Sequence, residues 1–261
     1  MSLENEIEVF TERYEAIDPE TLRIPEAIMA RYKGASSKPV FKTEWVHHQL
    51  HRDCREGDRV LELGSGDGMN LALMVGARHK PYRLCGSEIT LEGCRVSRDR
   101  LKVNGMADSG TRLQVADCNQ LPYLDGCFDG VVGFNILHHL DLEASLKEVR
   151  RVLKPGGWGL FTEPVILSEG LDRARKLIPY YPEEPTEDEH PLKPADFALV
   201  RSLFEDVQID HFEMISRVHS MVKWKPLNKA LHRLDYAILR TMPFLRSLYS
   251  GSTLRFVRGN D

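Results

Sequence analysis

The residues with the clearest capacity for chemistry surround a glycine-rich turn, Gly64-Ser65-Gly66-Asp67-Gly68. An apolar run from Arg59 to Leu63 precedes the turn and predicts a buried parallel strand, and residues 69–75 are rich in helix formers. A strand, a glycine turn and a helix together present backbone N–H groups and the positive end of a helix to a ligand. Glycine is needed because a Cβ would obstruct both the tight turn and the approach of the ligand. We therefore expect a ligand site at this turn.

Polar residues also follow three later apolar runs. Glu88, Asp117 and Asn135 each stand directly after a run that predicts a strand. A carboxylate accepts hydrogen bonds and donates none, so Glu88 and Asp117 suit the hydroxyl and amino groups of a ligand. Because the carboxyl ends of parallel strands meet at one edge of a sheet, we expect these residues to gather beside the glycine turn.

The spacing of the glycines narrows the kind of ligand. Dinucleotide-binding proteins have G-x-G-x-x-G, whereas this chain has Gly64-x-Gly66-x-Gly68 with Glu62 shortly before it. This form resembles motif I of the class I S-adenosylmethionine-dependent methyltransferases. This run and four later ones look like the successive motifs of that family, and the similarity covers about residues 58 to 162. These runs are residues 60–70, 86–90, 116–121, 128–140 and 153–161.

One of these runs points to a branch of the family. The small-molecule branch carries D-x-L-P-x-x-D-x-x-F-D, and residues 117–129 resemble that pattern with one extra residue before the leucine. The extra residue concerns only the conformation of the turn in which it stands, and the resemblance to the family is unaffected. The resemblance therefore implies a small-molecule acceptor.

The resemblance also implies S-adenosyl-L-methionine as cofactor and S-adenosyl-L-homocysteine as product, and we expect no metal. The Gly64–Gly66 backbone then approaches the amino acid and ribose portion, while Glu88 accepts from both ribose hydroxyls. Asp117 accepts from the adenine amino group, and the Cys118 N–H meets a ring nitrogen. The residues expected to bind the cofactor are Glu62, Gly64, Ser65, Gly66, Glu88, Ile89, Asp117, Cys118 and Asn135.

Membership of this family implies in-line transfer of the sulfonium methyl group, for which positioning supplies much of the rate. A hydroxyl acceptor would also need a base. His138 and His139, just past the fourth predicted strand, are the catalytic candidates, since a histidine near its ordinary pKa could serve. The alternative is that this pair is a structural element beside the cofactor. Glu163 and His190 are further candidates.

Strands and helices alternate from residue 58 onwards, which predicts an α/β fold. We expect a doubly wound, mostly parallel, seven-stranded Rossmann-like sheet with helices on both faces, and Lys154 to Gly157 predicts a turn before the fifth strand. Three helices precede the first strand and should cover the ligand edge. The predicted divisions are a helical cap (1–57), a cofactor-binding core (58–163), a lid or solvated acidic loop (164–194), and the rest of the sheet with a helical insertion (195–261).

Composition excludes several classes of protein. A chain of 261 residues with 42% hydrophobic residues supports a sizeable core, and a net charge of -4 disfavours bulk capture of nucleic acid. The N-terminus lacks the regions of a signal peptide, so we expect a cytoplasmic protein. The five scattered cysteines are expected to be reduced.

The C-terminal helical region leaves two interpretations open. Leu227, Leu231, Leu234 and Ile238 mark an apolar face, which indicates either a packed helix or one that contacts a membrane surface peripherally. Basic residues surround that face, namely Lys223, Lys225, Lys229, Arg233, Arg240 and Arg246.

We therefore expect a methyltransferase that acts on an oxygen or nitrogen of a small molecule, natural products and lipid-like compounds included. Transfer to carbon and a non-catalytic protein that binds the cofactor remain as alternatives. A nucleic-acid amino methyltransferase would show an Asn/Asp-Pro-Pro-aromatic run where this chain has Asn135-Ile136-Leu137-His138. A nicotinamide oxidoreductase fits the glycine spacing and Asp117 poorly.

Overall fold

The computed structural model describes residues 3–33, 42–78, 81–168, 170, 190–214 and 224–260. Within these residues the chain forms one seven-stranded sheet with helices packed on both faces. Residues 171–189, the larger part of the predicted lid, lie outside the described residues, and so does Lys223.

The strands of the sheet are β1 Arg59–Leu63, β2 Arg83–Glu88, β3 Arg112–Val115, β4 Phe128–Phe134, β5 Leu153–Pro164, β6 Glu205–Phe212 and β7 Gly251–Val257. Their order in the sheet is β3-β2-β1-β4-β5-β7-β6. Strands β1 to β5 run parallel, and β7 runs antiparallel to both β5 and β6. This arrangement confirms the predicted doubly wound, mostly parallel sheet.

Two apolar clusters hold the helices against the sheet, one on each face. The helices are α1 Leu3–Glu15, α2 Glu26–Lys33, α3 Lys42–Asp53, α4 Met69–Ala77, α5 Leu91–Val103, α6 Leu142–Val152, α7 Pro194–Leu203 and α8 Lys225–Thr241. Val60 of β1 belongs to the first cluster with α3 and α4, whereas Leu61 and Leu63 belong to the second with α6 and α7. The alternation follows from the period of two along a strand.

The three N-terminal helices occupy different places. Helix α1 lies over the ligand edge, where Phe10 and Tyr14 line a cavity with the glycine turn. Helix α2 packs on α4, and α3 packs on β5 and β7. The prediction that all three helices would cover the ligand edge is therefore wrong for α2 and α3. Their aromatic and apolar side chains, such as Trp45, belong to the core cluster on one sheet face instead.

Strand β5 begins earlier than the sequence predicted. Residues 154–157 were expected to turn, but they continue the strand from Leu153, which is buried and pairs with Phe128. The register between β4 and β5 shifts between Phe128 and Gly130, and Gly156 has a φ of 74°. The Pro-Gly-Gly run thus forms a bulge inside the strand and does not end it. The strand continues because Leu153, before the bulge, is held in the core.

Helix α8 and a following 3-10 turn, Pro243–Leu248, are inserted between β6 and β7. The sequence predicted this helix from the same apolar stripe. Among the helices in the described ranges, none has the length and apolar character required to cross a membrane.

Candidate functional site

A cavity of about 730 Å³ opens where β1, β2 and β4 end, and helix α1 forms one of its walls. Its position at the carboxyl ends of parallel strands is the usual place for a ligand in an open α/β sheet. The structure brings eight of the eleven sequence-predicted site residues to the cavity wall: Gly64, Gly66, Glu88, Ile89, Cys118, Asn135, His138 and His139. The other three, Glu62, Ser65 and Asp117, do not line it.

The glycine turn has the backbone that its sequence requires. Gly64, Gly66 and Gly68 all have positive φ values, 61°, 55° and 77°. A Cβ on Gly64 would come within 2.5 Å of Ile136, and one on Gly68 within 2.6 Å of the Ser97 backbone. The close approaches at these two glycines are thus to the chain itself, while Gly66 faces the cavity.

Two polar residues of α5 anchor this turn. Ser97 Oγ donates to Gly66 O at 3.0 Å. The Arg100 guanidinium donates from Nε to Asp67 O at 2.8 Å and from Nη2 to Asp67 Oδ2 at 2.7 Å, although only 2% of Arg100 is exposed. Arg100 Nη1 also donates to the carbonyl oxygens of Thr21 and Leu22. Arg100 therefore fixes the turn and the N-terminal segment to the same helix.

Sequence reasoning missed this anchor, although a signal for it exists. Gly93, Ser97, Arg100 and Asn104 recur at steps of four, three and four, so they share one face of α5. Asn104 extends the anchor, since its Nδ2 donates to Leu22 O and its Oδ1 accepts from Ile24 N–H. A polar stripe of this kind on a helix that must pack against the sheet indicates buried hydrogen bonds to neighbouring backbone.

Glu88 joins the end of β2 to the glycine turn. Its Oε2 accepts from Gly66 N–H at 2.9 Å, and its Oε1 accepts from Thr90 N–H at 3.3 Å. Burial raises the pKa of the Glu88 carboxyl, and these hydrogen bonds oppose that shift. Tyr14 of α1 lies nearby, and burial followed by the charge of Glu88 raises its pKa. Carboxylate oxygens bond to more than one donor, so Glu88 retains acceptor capacity toward the cavity.

Glu62, just before the turn, and Ser65, within it, are both buried. Neither Glu62 Oε2 nor Ser65 Oγ has a hydrogen-bond partner among the described residues. Burial, then the charges of Asp67 and Glu88, raises the pKa of Glu62 well above its ordinary value. Unpartnered buried oxygens are uncommon in folded proteins, and a cationic ligand nearby would lower the free energy of an ionised Glu62.

The residues after β3 serve a tight turn. Asp117 Oδ1 accepts from Asn119 N–H at 2.7 Å, which explains why this oxygen is directed into its own loop. Cys118 is buried and lines the cavity, with its Sγ 3.7 Å from Ser87 Oγ. Burial raises the pKa of the Cys118 thiol to about 12, so the side chain is a neutral thiol at the cavity wall.

A buried carboxylate holds the segment after β4. Glu163 Oε1 accepts from the N–H groups of Ile136 and Leu137, at 3.0 Å and 2.9 Å. Glu163 Oε2 lies 2.8 Å from His138 Nδ1. The rings of His138 and His139 lie 4.0 Å apart between centroids, and the His190 N–H donates to His138 O. The structure thus brings both histidines to the cavity and places Glu163 behind them.

Residues 61–161 match the family model described as a methyltransferase domain. Methyltransferase GfsG of Streptomyces halstedii is 32% identical over 116 residues, which are 44% of this chain and 40% of that protein. The ubiquinone/menaquinone biosynthesis C-methyltransferase UbiE of Geotalea daltonii is 36% identical over 101 residues, 38% of this chain and 42% of that protein. The chain thus spans about two fifths of the length of these curated relatives.

Solved structures share the architecture over a longer stretch. A methyltransferase dependent on S-adenosylmethionine from Methanosarcina mazei has a TM-score of 0.57 and 19% identity, covering 82% of this chain and 98% of that one. At this identity the likeness concerns the fold. The match to the family model covers the strands and turns that build the cavity. The likeness in fold extends over the rest of the sheet. Residues 61–161 of this chain are thus similar to a methyltransferase domain, and the sheet around them has the fold of a structure described as an S-adenosylmethionine-dependent methyltransferase.

Proposed function

We propose that this protein is an enzyme that transfers the methyl group of S-adenosylmethionine to an oxygen or nitrogen atom of a small molecule. The observation that carries the proposal is the junction of the glycine turn with Glu88 at the wall of the cavity. It pairs backbone N–H groups with a carboxylate at one sheet edge, which suits a ligand with an amino acid end and a ribose diol.

Size and charge of the cavity fit this cofactor. Its volume of about 730 Å³ lies within the usual range of about 300–1,000 Å³ for small-molecule sites. The wall includes three carboxylates, Glu6, Asp67 and Glu88, and one guanidinium, that of Arg13. A predominantly acidic wall favours a ligand that carries sulfonium and ammonium charges. Glu62 Oε2, which has no hydrogen-bond partner in the described part of the chain, also favours a cationic ligand.

In this proposal the Gly64–Gly66 backbone holds the amino acid and ribose portion, and Glu88 accepts from the ribose hydroxyls. Cys118, which lines the cavity, binds the adenine, and Asp117 beside it offers the adenine amino group the carboxylate oxygen that does not accept from Asn119 N–H. Asn135 borders the reacting end. When bound, S-adenosylmethionine supplies the electrophilic methyl group. The contribution of the chain is to orient donor and acceptor in line and to exclude water from the cavity behind α1.

The two histidines have separate roles in this proposal. His138 is oriented from behind by Glu163, so it positions the segment that borders the cavity. His139 packs against His138 and Phe10 at the cavity wall, and we assign to it the removal of the proton from a hydroxyl acceptor. An amine acceptor that arrives neutral needs no such base.

Carbon is the second candidate for the atom that is methylated. The relative UbiE of Geotalea daltonii, 36% identical over 101 residues, is named as a C-methyltransferase. In that case His139 would remove a proton from carbon or from an adjacent hydroxyl. Both candidates require the same cofactor and differ in the acceptor.

The first test is calorimetric titration with S-adenosylmethionine, S-adenosylhomocysteine and NAD. Binding of the first two without NAD is the expected result, and binding of NAD alone would overturn the proposal. Release of S-adenosylhomocysteine is then followed with panels of phenols, amines and hydroquinones. Products methylated at the oxygen of phenols or at the nitrogen of amines support transfer to oxygen or nitrogen. Products methylated at a ring carbon support the second candidate. Tight cofactor binding without turnover on any panel would favour a non-catalytic binding protein.

A further inference from the structure

The insertion between β6 and β7 emerges at the same edge of the sheet as the cavity. Gly251, the first residue of β7, pairs with Phe212 at the end of β6 and with Pro164 at the end of β5. Strand β5 is parallel to β4, whose carboxyl end borders the cavity. A partner that contacts the insertion therefore also lies against the edge of the sheet at which the cavity opens.

Helix α8 in this insertion buries polar groups and exposes apolar ones. His232 and Asp235 are buried, and Asp235 Oδ2 accepts from Met214 N–H at 3.0 Å. An amphipathic helix of a soluble protein usually does the opposite. Apolar residues recur at positions 227, 231, 234, 238 and 242, at steps of four, three, four and four, and of these Leu231 and Ile238 are half-buried. Leu227, Leu234 and Met242 are all exposed.

Two aromatic side chains extend this stripe at its ends. Trp224 is 66% exposed before the helix, and Phe244 is 76% exposed in the 3-10 turn after it. Five of the twelve exposed large hydrophobic residues in the described parts of the chain fall between these two positions. We call this set, Trp224, Leu227, Leu234, Met242 and Phe244, the α8 surface. An apolar concentration of this kind marks an interaction site.

The sequence between β6 and β7 carries charge of almost a single sign. Residues 215–250 contain seven Lys or Arg and one acidic residue, Asp235, whereas the whole chain has a net charge of -4. Asp235 is buried, and Arg233 and Arg240 of α8 are exposed. The partner is therefore apolar and anionic. A symmetric contact with a second copy would bring two basic segments together, which opposes dimerisation through this surface.

We propose that the α8 surface docks this protein on anionic phospholipid bilayers, with the ligand edge turned toward the membrane. The apolar side chains would enter the boundary between headgroups and acyl chains, Trp224 at the interface that indole prefers, while the cations contact lipid phosphates. Docking is independent of methyl transfer. Only the corollary that the acceptor reaches the cavity from the bilayer rests on the proposed function.

Flotation of the full chain with vesicles tests the docking directly. The chain should float with vesicles of phosphatidylcholine plus phosphatidylglycerol and remain at the bottom of the gradient with vesicles of phosphatidylcholine alone. High salt should release it from the anionic vesicles. Trp224→Ser combined with Phe244→Ser should abolish flotation. Arg233→Glu combined with Arg240→Glu should weaken it at least about 25-fold, since each cation near the surface strengthens binding about five-fold.

The matched control changes exposed residues elsewhere. Leu124→Ser combined with Lys147→Glu removes an exposed apolar side chain (82% exposed) and an exposed cation away from α8, and it should leave flotation unchanged. Titration with S-adenosylmethionine, run on every variant, separates loss of docking from loss of the cofactor site. No flotation with anionic vesicles, or equal loss in the control, overturns the proposal. Conversion of a dimer to a monomer by Trp224→Ser with Phe244→Ser, without vesicle binding, would overturn it in favour of a second copy.

Discussion

His138 Nδ1 lies 2.8 Å from Oε2 of Glu163, whose other oxygen accepts two backbone N–H groups. Glu163 is near the end of β5 and His138 follows β4, so this one carboxylate joins two adjacent strand ends behind the cavity. Glu163 is fully buried. The candidate catalytic histidines are therefore positioned by a residue that does not line the cavity.

Replacing Glu163 with Ala should lower the free energy of unfolding by about 2–4 kcal/mol. The reason is that two buried N–H groups and the His138 ring lose their acceptor at once. Glu163→Gln keeps one carbonyl oxygen for the two N–H groups and should lose less. Urea unfolding measures both variants. Glu143→Ala on exposed α6 surface is the control, and a Glu163→Ala protein as stable as this control would contradict the assignment.

Glu88→Ala should weaken binding of S-adenosylmethionine by about 1–3 kcal/mol, the range for losing hydrogen bonds to a charged group. Calorimetric titration gives the dissociation constant directly. Because Glu88 also accepts from Gly66 N–H, the thermal midpoint of the free protein must be measured beside it. The control is Glu92→Ala, because Glu92 lies four residues after Glu88 but pairs with Arg95 at the surface. This variant should bind as the parent does. An unchanged dissociation constant for Glu88→Ala would remove Glu88 from the cofactor site.

The local pattern predicted strand β1 to the residue, since the strand begins at Arg59 and ends at Leu63 as its apolar run indicates. This strand is specified by its own residues, through burial on both faces of a parallel strand. The same holds for the glycine turn, because its three positive φ values follow from its composition.

Contacts between distant parts of the chain were not predictable in this way. Arg100 meets Asp67 across 33 positions, and Glu163 meets His138 across 25. A single sequence does not reveal which buried polar residue will meet which backbone group. Helix α3 shows the same limit, because its apolar and aromatic residues fit either a cap over the ligand edge or the face of the sheet. Packing against β5 and β7 decided between them.

Arg100→Met should destabilise the protein by about 2–4 kcal/mol and weaken cofactor binding as well. Methionine keeps much of the volume but removes the guanidinium donor from Asp67 O, Thr21 O and Asp67 Oδ2, while Leu22 O keeps only its bond from Asn104. Asp67 lines the cavity, so loosening the turn disturbs the site. Arg95→Met, on the exposed side of the same helix, is the matched control. If both variants unfold at the same urea concentration, Arg100 does not anchor the turn.

His47 gives a prediction about acid stability. Burial, and then the charge of His51, lowers the pKa of His47 to about 3 from an ordinary value of 6.5. Below pH 6.5 the unfolded chain takes up a proton at this position and the folded chain does not, so stability falls with pH by up to about 1.4 kcal/mol per unit until about pH 3. His47→Phe removes that contribution. The difference between the urea stabilities of the two proteins should therefore shrink or reverse from pH 7 to pH 4, and a constant difference would contradict the burial of an uncharged His47.

Gly68 and Gly105 separate two reasons for needing glycine. Both have positive φ, 77° and 73°, so alanine at either position incurs the cost of a left-handed conformation, about 1–2 kcal/mol. At Gly105 a Cβ would meet open space, whereas at Gly68 it would lie 2.6 Å from Ser97 Cα. Gly68→Ala should therefore cost about 1–3 kcal/mol more than Gly105→Ala, because α5 must move away from the turn. Cofactor affinity should fall with Gly68→Ala alone, since Ser97 anchors Gly66 from that helix. Equal loss of stability in the two variants would mean that the backbone conformation, and not contact with α5, is what requires glycine at position 68.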